Sequence, residues 1–272
     1  MKFLACGCFH GKIPKRIISA AKGCDFILST GDFGGSEKMR KVIFRNFNRS
    51  YIDRFDKKKL KQYYKEDYFS GISTIRSLDK LGKKIYTIDG NWDFTSTADI
   101  NKEFGLEFKP YSSMIRKTQN IKFMNKKIRR IEGLKIYPHG GLMPASIFHE
   151  RPKDDQSRKA YLKWHRKQSS RLFRQKAKGI DIMLAHCPPY MYFDKVVYKG
   201  VNPMNGKHVG FRPYNEYIKR YKPRLFICGH MHEHQGIKRL GRTIILSHGA
   251  AQDGKAAVVE WTDGKIKIRL IR

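Results

Sequence analysis

The sequence contains nine short runs of β-branched and aromatic residues, and most of them end in a glycine, a proline or a polar cluster. Segments with helical spacing of apolar residues lie between several of the runs, at 12–22, 70–82 and 212–222. Strands that alternate with helices are typical of α/β units. The runs are KFLACG, DFILSTGD, KIYTIDGN, LKIYPHGG, DIMLAHCPP, LFICGHMH, TIILSHGA, AAVVEWT and KIKIRLI. Asp263 and Gly264 separate the last two, which predicts a β-hairpin.

Length and cysteine usage limit the class of protein. The chain has 272 residues, of which 40% are apolar, so it can bury a full core. We predict one domain over 1–272, with basic insertions near 36–70 and 144–178. Five cysteines, an odd number spread through apolar runs, favour reduced thiols. With no apolar stretch of signal-peptide or membrane-span length, we expect a cytoplasmic protein that does not enter membranes.

Residues that can bind metal ions follow five of the predicted strands. In open α/β sheets the loops beyond the carboxyl ends of the strands converge on one crevice. The two histidines of GHMH are spaced i, i+2 and lie on the same side of an extended chain. These residues are Cys8 and His10, Asp32, Asn91, His186, and His230 with His232. They supply four imidazoles, a carboxylate, an amide oxygen and a possible thiolate, which is enough for two metal ions.

The ordered series GCFHG, GDFGG, GNWD, AHCPP and GHMH resembles the motifs of the calcineurin-like metallophosphoesterase superfamily. The stretch from KHVGF to SHGAA is most similar to a branch of predicted phosphoesterases common in archaea and bacteria. The resemblance implies an α/β fold, a four-layer αββα sandwich of two mixed β-sheets flanked by helices. It also implies a metal-dependent phosphoesterase.

The resemblance further implies a ligand set. One metal would be bound by His10, Asp32 and His232, with Cys8 at the position that is normally an aspartate. The other would be bound by Asp32, Asn91, His186 and His230, and these four are the implied catalytic residues. Asp32 would bridge both ions. Imidazole ligands suit Mn, Fe or Zn better than Mg.

Two positions depart from the family pattern. Cys8 removes a hard anionic ligand, so the first metal would bind weakly or would be a thiophilic ion. RNA lariat-debranching enzymes of the same superfamily also have GCxHG, and the alternative role for Cys8 is core packing. Trp92 replaces a histidine that helps to orient phosphate, and an indole cannot shuttle protons. It could stack on a base or simply pack. His208, His234 and His248 are expected to be loop or supporting residues.

The net charge is the most unusual feature of the composition. The chain has 57 Lys and Arg against 24 Asp and Glu, a formal net charge of +33. An excess of this size usually persists where a polyanion neutralises it, most often nucleic acid. The alternative is a lysine-rich proteome with solvated basic faces. Most of the excess lies in segments 36–70, 109–135, 151–178 and 195–224, with net charges of +6, +8, +9 and +7.

Segment 151–178 is expected to form a helix that has one face on the core and the other on a phosphate backbone. The expected core positions are Tyr161, Leu162, His165, Leu172 and Phe173. The expected outward cations, and candidate nucleic-acid-binding residues, are Lys159, Arg166, Arg174 and Lys178.

Two functions remain from the sequence. In the first, the protein is a divalent-metal phosphodiesterase acting on RNA or another nucleic acid. In the second, it is an RNA-binding protein, attached to a ribonucleoprotein such as the ribosome, that retains the hydrolase fold with a weakened site. The retained ligands Asp32, Asn91, His186, His230 and His232 favour the enzyme. Cys8, Trp92 and the extreme charge favour the binding protein.

Overall fold

The architecture was obtained from a computed structural model, which describes residues 1–35, 37–45, 55–124, 127–141, 155–174, 178–198, 202 and 204–272. The described strands form two six-stranded sheets. They are β1 (Lys2–Cys6), β2 (Phe26–Ser29), β3 (Lys84–Thr87), β4 (Ile121–Phe123), β5 (Arg129–Ile131), β6 (Leu134–His139), β7 (Ile182–Ala185), β8 (Leu225–Cys228), β9 (Gln235–Leu240), β10 (Thr243–His248), β11 (Ala256–Thr262) and β12 (Lys265–Ile271).

Both sheets are mixed. Sheet A has the order β12-β11-β1-β2-β3-β4, in which β1 to β4 are parallel and β11 and β12 are antiparallel. Sheet B has the order β5-β6-β7-β8-β10-β9, with the parallel strands in the centre. All nine predicted strands are present, and the β11–β12 hairpin turns at Asp263 and Gly264 as expected.

Alternate side chains of the central strands explain why the two sheets stack. On β1, Phe3 and Ala5 face sheet B and join a core with Ile182 and Leu184. Leu4 and Cys6 point the other way, because successive side chains of a strand lie on opposite faces. Each sheet therefore buries one face against the other sheet and one face against helices, which confirms the predicted four-layer arrangement.

Seven α-helices are described. They are α1 (Lys15–Lys22), α2 (Glu37–Arg45), α3 (Lys57–Asp79), α4 (Ala98–Phe104), α5 (Tyr111–Ile115), α6 (Asp155–Phe173) and α7 (Arg212–Tyr221). Helices α1, α3 and α5 cover the outer face of sheet A, and α6 and α7 cover that of sheet B. None of these helices combines the length and apolar character needed to span a lipid bilayer.

The inner face of the basic helix α6 agrees in part with its prediction. Leu172 is buried, and His165 and Phe173 are half-buried and pack on neighbouring aromatic rings, as expected. Leu162 was expected to face the core but is 41% exposed, and the side chain of Tyr161 lies outside the described residues. Trp164 and Gln168 also belong to the inner face and were not predicted. The helix ends at Phe173, earlier than predicted. Residues 142–154 and 175–177, which include parts of the predicted insertion and helix, lie outside the described residues.

Candidate metal centre

The predicted ligands lie in loops at the carboxyl ends of β1, β2 and β3 in sheet A and of β7 and β8 in sheet B. Because the two sheets stack, these loops face each other at one edge of the sandwich. Sheet A contributes Cys8, His10, Asp32 and Asn91, and sheet B contributes His186, His230 and His232. The structure brings all seven side chains into one buried or half-buried cluster.

The backbone of this cluster is conformationally unusual. Cys8, His10, Asp32 and His230 all have positive φ, at 56°, 44°, 60° and 68°. Non-glycine residues rarely adopt this region, and such residues concentrate at functional sites. Neighbouring loops hold them there: the Cys8 N–H donates to the Gly31 carbonyl at 2.8 Å, and the His10 N–H donates to the Asp32 carbonyl at 3.1 Å.

Gly90 allows the Asp32 carboxylate to approach the loop after β3. A Cβ atom at Gly90 would lie 2.1 Å from Asp32 Oδ1. A side chain at that position would therefore displace the carboxylate that both halves of the cluster share.

On one side of Asp32, the rings of His10 and His232 face each other with their Nε2 atoms 3.0 Å apart. His10 Nδ1 lies 3.1 Å from the Gly34 carbonyl oxygen, which can only accept a hydrogen bond. In the neutral ring the proton is therefore on Nδ1, and the Nε2 lone pair points into the cluster.

The other side contains Asn91, His186 and His230. Asn91 Oδ1 lies 2.8 Å from His186 Nε2 and 2.8 Å from His230 Nδ1, and these two nitrogens are 3.2 Å apart. His186 Nδ1 is 2.8 Å from the Thr30 carbonyl oxygen, which again assigns the proton of the neutral ring to Nδ1. The lone pair of Nε2 is thus directed at other acceptor atoms.

Asp32 lies between these two groups. Its Oδ2 is 3.3 Å from His186 Nε2 and 3.7 Å from His10 Nε2, while Oδ1 accepts a hydrogen bond from the Trp92 N–H at 2.8 Å. Oδ2 is buried and accepts no hydrogen bond within the described structure. Leaving a buried carboxylate oxygen unsatisfied is costly unless a cation compensates it.

The protonation states of three of the four imidazoles agree with a metal-binding role. Burial lowers the pKa of His10 to about 4 and that of His230 to about 3, and it places the pKa of His232 well below its usual range. These imidazoles are therefore neutral at pH 7 and can donate lone pairs. Burial alone would raise the pKa of the Asp32 carboxyl, but the adjacent His186 outweighs this and keeps the pKa below its usual range.

The donor set thus fits divalent metal ions. Four imidazoles, a carboxylate and an amide oxygen converge. Among the described ligand residues, the buried oxygen without a hydrogen bond is Asp32 Oδ2, which lies between the two groups. Oxygen and imidazole donors together suit Mn, Fe and Zn.

Cys8 is in contact with both halves of the cluster. Its thiol is fully buried and its Sγ accepts a hydrogen bond from the His230 N–H at 3.2 Å. It lies within 4.8 Å of the ligand atoms of His10 and His232, and equally of those of Asp32 and His186. Burial and the Asp32 charge raise the pKa of the thiol, so ionisation of Cys8 would require a bound cation.

Trp92 supports the site through its backbone. Its N–H donates to Asp32, whereas its indole packs on a small apolar cluster with Met39, Leu60 and Phe104. Of the two roles considered for this side chain, packing is the one that the structure shows.

The three other histidines near the motifs have distinct partners. His248 is buried, with Nε2 2.9 Å from Thr30 Oγ1, and the Thr30 carbonyl in turn orients His186. His208 pairs with Asp194 at 2.7 Å, and His234 lies 2.6 Å from the Lys195 carbonyl oxygen. Only His248 therefore supports a predicted ligand through these contacts.

Two further residues take part in the site without having been predicted. The Asp93 carboxylate accepts hydrogen bonds from the N–H groups of Asp32, Phe33 and Gly90, at 2.9, 2.8 and 2.8 Å, and thereby ties two ligand loops together. Arg40 on α2 contributes positive charge that, after burial, helps to lower the pKa of His10, His230 and His232. The guanidinium therefore acts on the cluster electrostatically.

The predicted nucleic-acid-binding residues lie elsewhere. Lys159 and Arg166 are exposed on α6, and Arg174 and Lys178 are exposed beyond its end. Helix α6 packs on the outer face of sheet B, where the Tyr137 hydroxyl of β6 donates a hydrogen bond to the Leu172 carbonyl at 3.1 Å.

Comparisons with known proteins agree with this geometry. The sequence profile of a family described as metallophosphoesterase, calcineurin superfamily, matches residues 3–271. No curated protein sequence matches the chain.

Several solved structures share the fold. One crystal structure has a TM-score of 0.60 at 19% identity, over 100% of this chain and 99% of that chain. The protein TT1561 of Thermus thermophilus has a TM-score of 0.52 at 14% identity, over 100% and 99%. A dimetal phosphatase from Danio rerio has a TM-score of 0.50 at 8% identity, over 100% and 96%. The match over nearly all of its length places this chain in the metallophosphoesterase family of the calcineurin superfamily.

Proposed function

We propose that the protein is a divalent-metal-dependent phosphodiesterase that acts on nucleic acid. The observation that carries this proposal is the buried Asp32 Oδ2, which accepts no hydrogen bond from a described residue and lies between two sets of imidazoles. A folded protein tolerates such an atom where a cation binds it.

Two sets of residues would hold the metal ions. His10, Asp32 and His232, with Cys8, would form one site, and Asp32, Asn91, His186 and His230 would form the other. Bound divalent ions neutralise phosphoryl oxygens and lower the pKa of a water molecule. The protein's own contribution is to orient His10 and His186 with backbone carbonyls and to keep His10, His230 and His232 neutral by burying them.

The residue next to Asn91 limits how the leaving group can be protonated. Trp92 offers no proton to a leaving group, since its side chain is an indole that packs on Met39 and Leu60. We infer that the leaving oxygen takes its proton from water. Arg40 provides a positive charge near the cluster, which suits the binding of an anionic phosphodiester.

The nucleic-acid part of the proposal is supported by charge. A net charge of +33 is far above what solubility requires and raises the local concentration of polyanions. The exposed cations of α6 are available to a phosphate backbone.

The second candidate is an RNA-binding protein, associated with a ribonucleoprotein such as the ribosome, with a weakened site. Cys8 in place of a carboxylate and Trp92 in place of a histidine favour it, because each removes a group that would assist hydrolysis.

One experiment separates the two candidates. Metal content of the purified protein is measured together with hydrolysis of bis(p-nitrophenyl) phosphate, linear RNA and branched RNA, with Mn(II), Fe(II) and Zn(II) in turn. Turnover that depends on metal supports the enzyme. Bound metal without turnover of any substrate favours the binding protein.

Replacing Cys8 by aspartate is expected to raise the affinity for Mn(II) by on the order of 10-fold, because it restores a hard anionic oxygen next to His10. Aspartate tolerates the positive φ at this position. Isothermal titration of metal-free protein with Mn(II) measures the change. Cys8→Asn has nearly the same shape without the charge and should show no gain. Unchanged or weaker Mn(II) binding by Cys8→Asp would assign Cys8 to packing.

Replacing Arg40 by glutamine is expected to lower kcat/KM for a diester by about 10- to 100-fold, the value of one charge-assisted hydrogen bond to phosphate. Metal content should not change. The kcat/KM of Arg40→Lys should lie between that of Arg40→Gln and that of the wild type. The control is Lys41→Gln on the same helix, because Lys41 is exposed and pairs with Glu37 at 3.0 Å. Equal activity of Arg40→Gln and Lys41→Gln would remove Arg40 from the phosphate site.

A further inference from the structure

A second charged concavity lies at the opposite edge of the sandwich from the metal centre. Its lining comes from the residues before β8, from the β9–β10 turn and from the β11–β12 turn. The register places these together, since Ile244 at the start of β10 pairs with Leu225 at the start of β8 and with Arg239 on β9. The metal ligands follow the other ends of the parallel strands. Over the length of β10 the two edges are about 20 Å apart.

All charged residues that line this concavity are cations. We call it the distal groove and define it by Lys222, Arg224, Arg239, Arg242 and Lys265, which surround a volume of about 550 Å³. All five are exposed. None of them forms an ion pair with a described residue, whereas Lys2, Lys38 and Lys84 elsewhere on the surface pair with glutamates. Five such like charges in one concavity repel one another in the isolated protein.

Arg224 is held in place across the two sheets. Its guanidinium lies 5.0 Å from the centre of the Trp261 ring, a cation–π contact between the residue before β8 and a residue of β11. A Cβ atom at Gly264 would be 3.2 Å from Arg224 Nη1, so the glycine lets the guanidinium lie against the hairpin turn. A positioned arginine loses less side-chain entropy on binding a ligand.

Ordinary structural roles account for single members of the groove. Lys222 caps the C-terminus of α7, where a cation offsets the helix dipole. Arg239 lies on the edge strand β9, where charge discourages edge-to-edge pairing. Neither role explains why Arg224, Arg242 and Lys265, from three other points of the chain, face the same space.

We propose that the distal groove is a second nucleic-acid-binding site, separate from the metal centre, that contacts the phosphate backbone. Three of its five cations are arginines, whose planar guanidinium can bind phosphate oxygens through two parallel hydrogen bonds. A concave site between two sheets admits a strand of phosphates, whereas a flat membrane surface would reach only its rim. Contacts of this kind carry no sequence information. The proposal does not depend on hydrolysis at the metal centre.

The test uses the full chain, treated with a chelator, and a fluorescent single-stranded RNA whose binding is followed by anisotropy over a series of salt concentrations. Arg239, Arg242 and Lys265 are all changed to glutamine. We expect RNA affinity to fall by at least roughly 10-fold at low salt. The slope of log K against log salt should flatten by about 0.7 for each phosphate that the variant no longer neutralises.

The matched control changes Lys80, Arg116 and Lys117 to glutamine. These three are also exposed, and the control removes the same charge outside the groove. An equal loss of RNA affinity in both triple variants, or no loss in the groove variant, would overturn the proposal. So would a groove variant that loses binding to anionic phospholipid vesicles but not to RNA. Hydrolysis of bis(p-nitrophenyl) phosphate should be the same in the groove variant and the wild type, which separates this result from that for the metal centre.

Discussion

Replacing Asp32 by asparagine is expected to remove both metal ions and to lower metal-dependent hydrolysis by at least about 10³-fold. The carboxylate lies between the two imidazole groups, and no described residue donates a hydrogen bond to its buried Oδ2. A neutral amide cannot offset two cations, and metal ions contribute several kcal/mol of charge stabilisation to phosphoryl transfer. Elemental analysis of the purified variant and a diester assay measure the two effects.

The matched control is Asp194→Asn. Asp194 is as deeply buried as Asp32 and accepts hydrogen bonds from the N–H groups of Met191 and Gly210, but it pairs with His208 and is not part of the cluster. The Asp194→Asn variant should be less stable than the wild type and should keep its metal ions. Two metal ions per chain in Asp32→Asn would show that the ligand assignment is wrong.

The sequence was informative about the candidate metal centre because the candidate ligands follow strands. Each strand is recognisable as a short apolar run, and the convergence of loops at one edge of a parallel sheet then brings distant residues together. Asp32 and His186 are 154 positions apart in the chain and 3.3 Å apart in the structure. This proximity could be expected from motif order and strand position alone.

The strands that were missed share one property, since β4, β5 and β9 all lie at the edges of the sheets. Edge strands are short or charged because unpaired backbone groups invite pairing with other chains. The sequence of β9, QGIKRL, has neither the apolar run nor the alternation of a half-buried strand. Its strand character comes from pairing with β10, which is a tertiary effect.

Arg40 and Asp93 were missed for a different reason. The role of Asp93 depends on N–H groups from a loop about 60 positions away, which no local pattern reveals. Arg40 lies on a helix whose sequence reads as an ordinary amphipathic segment, and only the packing of α2 directs its charge at the cluster. The sequence signal for a role of Arg40 in the site was its position eight residues after Asp32.

The α6 prediction shows where helical periodicity is ambiguous. Among the described side chains of α6, Gln168 and Leu172 are buried, but a glutamine is polar and is not an expected core residue. Leu162 lies about 120° around the helix from Gln168, which places it outside the buried stripe.

Charge reversal at Lys159, Arg166, Arg174 and Lys178 is expected to weaken RNA binding by orders of magnitude at low salt and to reduce its salt dependence. All four side chains are exposed, and none of them forms an ion pair with a described residue. Each cation that neutralises a phosphate releases counterions, so affinity falls steeply with salt. Wild-type affinity should drop by orders of magnitude between low and physiological salt.

The slope of log K against log salt for the single-stranded RNA should flatten by about 0.7 for each phosphate that the quadruple variant no longer neutralises, with metal content unchanged. The groove variant Arg239→Gln, Arg242→Gln, Lys265→Gln is the comparison, because it tests a different surface of the same chain. If both surfaces bind one RNA, the combined variant should show the sum of the two slope changes. A wild-type protein without measurable RNA affinity at low salt, or a quadruple variant with an unchanged slope, would identify the outer face of α6 as ordinary solvated surface. The first of these two results would also favour a small phosphodiester as the substrate of the candidate metal centre.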